Sequence, residues 1–217
     1  MTLFLEELTM KRFACLAAFA LLTAVPLGAQ APKGWMLRAD HSTSASDPDT
    51  PGAIRFTAQG SGFHAVNPQA AVYWNPANTA TGNYALKGTF TLVKPSNHTN
   101  YYGLVFGGSG LEGPKQTYLY FLVAQDGSWL IKQRAGDATT NDVARRIHPA
   151  VRKPDANGTS TNALEVRVMA DKIDYVVNGT VVHSTPKTGM TANTDGVYGM
   201  RVNHLLEVKV DGLSVSK

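Results

Sequence analysis

Cysteine is almost absent from this sequence. The 217 residues contain one cysteine, Cys15, which lies inside an apolar stretch near the N-terminus. The chain after that stretch has no thiol, and this excludes disulfide bonds, a cysteine nucleophile and a zinc-thiolate site. The folded part of the protein must therefore depend on side-chain packing for its stability.

Charge is also sparse. Charged residues make up 17% of the chain, and the formal net charge is +4. The cations are scattered, with the short pair Arg145-Arg146 but no basic stripe. This distribution excludes nucleic acid as the expected partner. A mildly basic protein is better suited to an anionic glycan or an acidic surface.

Long hydrophobic runs are lacking except near the N-terminus. Lys11 and Arg12 precede an alanine-rich apolar run over residues 13–25. This layout is that of a secretory signal peptide, so we expect residues 1–31 to form the signal, with residues 1–9 an extension upstream of the natural start.

The signal determines the expected location and extent of the mature protein. Cleavage after Ala29 is favoured over cleavage after Ala31, because Pro32 would follow the second cut. The apolar run is too short for a membrane span, which needs about 20 apolar residues. We therefore expect a secreted or periplasmic protein with no membrane span, in which residues 32–217 form a single domain.

Helical periodicity is missing, and two-residue alternation takes its place. Residues 84–93 carry an apolar residue or glycine at every second position, which predicts a half-buried strand. Similar runs recur with turn signals about every 8 to 12 residues, so ten or more short strands should form an all-β, two-sheet antiparallel sandwich. The polar region 135–161 is expected to be a loop at the rim of a binding site, with a helical turn possible over residues 142–147.

The strongest local signal is a hairpin around Asp126-Gly127. These two residues lie between runs of apolar and aromatic residues, a setting in which Asp-Gly favours a hairpin. A three-residue loop with Gly127 in the left-handed region pairs Phe121 with Ile131 on one apolar face. A two-residue turn would place Phe121 opposite Lys132, so the longer loop is the prediction.

The order of the segments resembles a known family. The runs YYGLVFGG, TYLYFLVAQDGSWLIKQRAG, TNALEVRVMADKIDYVVNGTVVHS and GVYGMRVNHLLEVKVDGLSV follow one another within residues 84–216. Their succession is similar to that of the concanavalin A-like lectin/glucanase jelly rolls and, within them, the laminin G-like modules. The resemblance implies two curved antiparallel sheets, with a concave face on which relatives bind saccharides or hold active sites.

The candidate binding surface is the face of the hairpin opposite its apolar face. Aromatic rings beside hydrogen-bonding groups suit sugar binding, and a strand near the C-terminus adds a cation and an amide. The alternative is that the tyrosines pack under a loop and the cations are solvated. The predicted ligand-binding residues are Tyr118, Tyr120, Lys132, Arg134, Arg201 and Asn203.

Catalytic motifs are lacking. Glucanase relatives carry an E-x-D-x-x-E strand motif, whereas Glu112, Glu165 and Glu207 are far apart in this sequence. The motifs of alginate-lyase relatives are not recognisable either. We therefore expect no catalytic residues and a non-catalytic lectin-like protein that binds a polysaccharide or glycan on the concave sheet. The alternatives are a divergent glycoside hydrolase or polysaccharide lyase, and an envelope protein-interaction module.

Metal ligands have no sequence signature. His98, His148 and His204 lie too far apart in sequence to give metal-ligand spacing. The last strand of glucanase relatives often carries an aspartate that helps to bind a structural calcium ion, and Asp211 sits similarly, with a turn role before Gly212 as the alternative. The sequence therefore predicts no metal site and no cofactor beyond that structural calcium. It leaves the oligomeric state open.

Overall fold

The computed structural model describes residues 31–42 and 44–217 of the chain, so the predicted signal peptide lies outside the described residues except for Ala31. The described residues form fourteen strands and one four-residue 3-10 helix, Gly189–Ala192. The strands are β1 Met36–Asp40, β2 Arg55–Gln59, β3 Gly62–Asn67, β4 Ala70–Ala80, β5 Tyr84–Lys94, β6 Tyr101–Ser109, β7 Thr117–Ala124, β8 Ser128–Ala135, β9 Ala138–Ile147, β10 Ser160–Val168, β11 Lys172–Val177, β12 Thr180–Pro186, β13 Gly196–Val202 and β14 Leu206–Ser216.

The strands form two antiparallel sheets of seven strands each. The first sheet has the order β1-β4-β13-β6-β7-β8-β9, and the second has the order β12-β11-β10-β5-β14-β3-β2. Six of the twelve neighbouring pairs join strands that are not consecutive in the chain, as in a jelly roll. The predicted all-β, two-sheet antiparallel jelly-roll sandwich is therefore confirmed. None of the described residues forms a helix with the length and apolar composition that a membrane crossing needs.

The main hydrophobic core lies between the two sheets. Phe121 and Ile131 from the first sheet and Phe90 from the second have no exposed surface, and all three belong to one buried cluster. In β5 the apolar positions are buried at every second residue, as the alternation predicts. Fully burying side chains of this size stabilises the fold by about 1.5–3 kcal/mol each.

The β7–β8 hairpin has the predicted register. Tyr118 faces Arg134, Tyr120 faces Lys132, and the pairing continues to the residues beside the turn. Gly127 has a φ of 84°, which is the left-handed conformation that the three-residue loop requires. The apolar face of this hairpin therefore points into the core, and its aromatic and basic face points away from the second sheet.

Two expectations about irregular segments are wrong. Strand β9, Ala138–Ile147, lies within the region 135–161 that the sequence predicts to be a loop, so residues 142–147 do not form a helical turn. Among the described strands, β9 pairs only with β8, and most of its residues are exposed. An exposed edge strand has no face that must be apolar. Its sequence therefore lacks the alternation that marks a half-buried strand. The pair Asn75-Pro76 also predicts the end of a strand, yet strand β4 continues through it. Pro76 is accepted because the pairing with β13 skips the residues between Trp74 and Thr79.

Candidate functional site

Five of the six predicted ligand-binding side chains meet on the outer face of the first sheet. The hairpin register sets Tyr118 beside Arg134 and Tyr120 beside Lys132. Arg201, in β13, reaches both tyrosines across β6. Its Nη1 donates a hydrogen bond to the Tyr118 hydroxyl at 3.0 Å, and its guanidinium lies 5.6 Å from the centre of the Tyr120 ring, within cation–π distance.

A buried ion pair forms the centre of this group. Asp40 ends β1, and its carboxylate accepts a hydrogen bond from Nη1 of Arg201. Nε of Arg201 donates to Oδ1 of Asn203, the sixth predicted residue, at 3.2 Å. Arg201 is 9% exposed, so its guanidinium is held by protein groups on several sides. Sequence reasoning missed Asp40, because it precedes a polar loop far from the other residues in the chain.

The surroundings of this ion pair keep each member in a defined protonation state. Burial alone would raise the pKa of Asp40, but Arg201, with help from Arg134 and Arg38, lowers it below its usual value. Burial opposes the charge of Arg201, yet Tyr118 and Asp40 raise its pKa above the usual value. Burial raises the pKa of Tyr118 to about 12, so its hydroxyl stays protonated at neutral pH.

The two tyrosines are buried although they lie outside the main core. Tyr118 is 1% exposed and Tyr120 is 6% exposed. Both belong to a second apolar cluster on the outer face, which also contains Trp74 and Leu111. Leu111 comes from the loop between β6 and β7 and packs into this cluster. The Tyr118 ring therefore has no open face on which a sugar could stack, and its contacts instead position Arg201.

A polar cleft of about 270 Å³ opens beside the ion pair. Arg134, Arg201 and Asn203 are part of its lining, and Asp40 contacts both arginines. Lys132 lies outside the lining, and burial, together with the charge of Arg201, lowers its pKa. With Asp47 and Asp49 also in the lining, the cleft presents guanidinium and amide donors next to three carboxylates.

The cleft also adjoins a group that the sequence did not reveal. His204 and Asp47 belong to its lining, and His98 lies close enough for ligand atoms of all three residues to fall within 4.8 Å of one another. The strand order explains the meeting, because β6 and β13 are neighbours, His98 precedes β6 and His204 follows β13. Asp211, the position considered for calcium, belongs to no such group in the described part of the chain.

Comparisons with known proteins bear on the fold. No protein-family model matches this sequence, and no curated protein sequence matches it. Among solved structures, the carbohydrate-binding module CBM66 from Bacillus subtilis aligns with a TM-score of 0.58 and 8% identity, covering 85% of this chain and 96% of that one.

Two further structures are similar. A Bacteroides ovatus mixed linkage glucan GH16 protein in complex with product has a TM-score of 0.56 and 6% identity, covering 84% of this chain and 94% of that one. A Bacillus subtilis protein of unknown function with a galectin-like fold has a TM-score of 0.55 and 15% identity, covering 84% and 89%. The chain therefore has the concanavalin A-like jelly-roll fold that the sequence motifs predicted.

Proposed function

We propose that this is an exported, non-catalytic protein that binds carbohydrate in the cleft beside Arg134, Arg201 and Asn203. The observation that carries the proposal is this polar cleft, formed on the outer face of one sheet in a fold shared with a carbohydrate-binding module. Sugar hydroxyls need hydrogen-bonding partners in fixed positions. Arg201 is held in place by Asp40 and Tyr118. Ligand binding therefore does not carry the entropic cost of ordering this side chain.

The charges that line the cleft are mixed. Arg134 and Arg201 contribute two positive charges, and Asp40, Asp47 and Asp49 contribute three negative charges. The balance therefore does not favour an acidic saccharide over a neutral one. Arg134 is the more accessible of the two arginines, and we assign it the direct contact with the sugar.

Binding fits this site better than catalysis. A polysaccharide lyase could use a tyrosine beside an arginine, and Tyr118 does contact Arg201. However, Tyr118 is 1% exposed and burial raises its pKa to about 12, so it is a poor proton carrier. A hydrolase needs a protonated carboxyl as general acid, whereas the arginines around Asp40 keep it ionised by lowering its pKa.

Affinity electrophoresis in gels that contain a neutral glucan or polygalacturonate tests the proposal. We expect retardation of the protein in at least one of the gels, and a loss of affinity of about ten-fold or more in Arg134→Ala and Asn203→Ala, since each removes a hydrogen-bond donor from the cleft. Arg201 is unsuitable for this test because its removal would leave Asp40 buried without its partner.

Arg55→Ala is the matched control. Arg55 is an exposed arginine in β2 of the second sheet, so its removal changes the net charge by the same amount without touching the cleft. The control should bind like the unchanged protein, and circular dichroism should show that all variants are folded. Failure to bind either polysaccharide, or equal binding by Arg134→Ala and Arg55→Ala, would refute the proposed site.

A further inference from the structure

We infer that His98, His204 and Asp47 form a binding site for a divalent transition-metal ion such as Zn²⁺. The three residues come from different loops: Asp47 from the loop after β1, His98 from the loop before β6, and His204 from the turn after β13. This inference goes beyond carbohydrate binding and does not depend on it.

The three ligand atoms lie close together, within 4.8 Å of one another. Nε2 of His98 lies 2.8 Å from Oδ1 of Asp47, and Nε2 of His204 lies 3.1 Å from the same oxygen. Zinc lies about 2.0–2.2 Å from nitrogen and oxygen ligands, so ligand atoms in adjacent coordination positions are roughly 3 Å apart. The centres of the two imidazole rings are 5.5 Å apart, and the ring planes are nearly perpendicular. Nε2 of each ring can therefore direct its lone pair at the same ion.

The second nitrogen of each imidazole is already held by an oxygen acceptor. Nδ1 of His98 lies 2.7 Å from Oδ1 of Asn97, and Nδ1 of His204 lies 3.1 Å from Oδ1 of Asp49. Oδ2 of Asp49 in turn accepts the backbone N–H of Ser42 at 2.9 Å. Histidines that bind metals commonly donate the other N–H to such a group, which fixes the tautomer and the ring orientation.

The contacts of His204 leave one ring nitrogen facing a carboxylate. A neutral imidazole has one N–H and one lone pair. If Nδ1 of His204 donates to Asp49, the Nε2 lone pair faces Oδ1 of Asp47 at 3.1 Å, and a cation bound between these two atoms would stabilise that arrangement. Nε2 of His98 lies 2.8 Å from the same oxygen, so the same cation could take His98 as its third ligand.

The ligand set determines the kind of metal. Two imidazoles and one carboxylate suit Zn²⁺ and other late first-row ions, whereas Ca²⁺ and Mg²⁺ prefer sets of oxygen ligands. Three protein ligands leave further coordination positions, and His204 and Asp47 both line the cleft. A bound ion would therefore lie at the wall of the cleft, and it would also tie three loops together.

Isothermal titration of the exported, EDTA-dialysed protein with ZnCl₂ tests the inference. We expect one Zn²⁺ per chain, much weaker binding of CaCl₂, and a rise in the thermal unfolding midpoint with Zn²⁺ because the ion binds only the folded state. His98→Ala and Asp47→Ala should each weaken Zn²⁺ binding by more than about 100-fold, since losing an outer partner alone commonly costs 10–100-fold. Asn97→Ala should show this smaller loss.

His64→Ala is the matched control. On the second sheet, Nε2 of His64 lies 2.9 Å from Oε1 of Glu207. The two residues form a histidine–carboxylate pair without a second histidine. Removal of His64 should therefore leave Zn²⁺ affinity unchanged. His98 is partly exposed, so its alanine variant should fold, and thermal unfolding without metal checks this. No Zn²⁺ binding by the unchanged protein would mean that these three residues are held together without a metal ion. That result, or equal Zn²⁺ binding by His98→Ala and His64→Ala, would overturn the inference.

Discussion

At the scale of single residues, the site depends on a carboxylate and a guanidinium buried together. Asp40 and Arg201 are both less than 10% exposed, and Tyr118 completes the contact. A buried charge is tolerated only when it is paired and hydrogen-bonded. Asp40 lies in β1 and Arg201 in β13, and β4 lies between these two strands. The ion pair therefore also holds β1 in place relative to β13.

Asp40→Asn should strongly destabilise the protein. The substitution leaves the Arg201 guanidinium buried without its negative partner, and breaking a buried pair in this way costs about 3–5 kcal/mol. Asp137→Asn is the control, because Asp137 contacts Arg134 at 3.5 Å but its side chain is 96% exposed, so its loss should cost less than about 1 kcal/mol. Urea unfolding of both variants measures the difference. Equal costs would mean that the Asp40–Arg201 pair is not buried as described.

Asp126 should make stability depend on acid pH. Arg145 donates to its carboxylate at 2.7 Å, and the Ser128 backbone N–H donates at 2.9 Å. Burial alone would raise the pKa of Asp126, but Arg145 and Ser128 lower it to about 2. The pKa is thus lower in the folded than in the unfolded chain, so the stabilisation is complete above about pH 4. It should disappear as the pH falls towards 2.

Comparing the protein with Asp126→Asn by urea unfolding at pH 7, 4 and 2.5 isolates this effect. The other carboxylates titrate in both proteins, so their contribution cancels in the difference between the two free energies of unfolding. That difference should shrink between pH 4 and 2.5. A difference that stays constant across this range would show that the pKa of Asp126 is not lowered by folding.

At the scale of elements, the β7–β8 hairpin decides which side chains face the core and which face the cleft. A shift of one residue in its register would exchange the two sets. The turn holds the register, because Gly127 adopts a φ of 84° and its N–H donates to the carbonyl of Ala124 at 3.1 Å. Only glycine enters this left-handed conformation without a steric cost.

Gly127→Ala should destabilise the protein by about 1–2 kcal/mol, the cost of a left-handed residue with a Cβ atom. The added Cβ would also lie 2.9 Å from Cε of Lys153, but that flexible side chain can move. Gly113→Ala is the control, since Gly113 has no positive φ and its added Cβ would meet only ordinary contacts. Chemical denaturation compares the two variants, and equal stability would show that the loop conformation is not as described.

At the scale of the whole molecule, we expect the chain to divide into an N-terminal signal and the sandwich. The signal remains a prediction, because its residues lie outside the described structure. Expression of the full chain in a bacterial host tests it, with mass spectrometry of the N-terminus of the exported protein. We expect a mature chain that begins at Gln30, after cleavage at Ala29.

A chain that starts at Met10 is the control for the upstream extension. It should yield the same mature N-terminus, because residues 1–9 precede the basic and apolar parts of the signal. Retention of both chains in the cytoplasm with their N-termini intact would show that the stretch is not a functional export signal.

The sequence by itself determined the fold class, the β7–β8 register and the outward direction of the hairpin tyrosines. These features depend on neighbours in the chain: strand alternation has a period of two residues, and Asp126-Gly127 sets the turn between the strands. Even the six predicted ligand-binding residues could be chosen in this way. Each lies on a strand or directly after one, and the local pattern distinguishes the two faces of that strand.

Only the tertiary structure decided how those residues are used. The order of strands in the first sheet brings Asp40 to Arg201 and joins His98, His204 and Asp47 at one end of the sheet. It also buries Tyr118 under neighbouring side chains, which removes the stacking role that its outward direction suggested. These contacts join segments up to 161 residues apart. Alternation specifies the face of a strand but not its neighbours, so this part could not be predicted from local patterns.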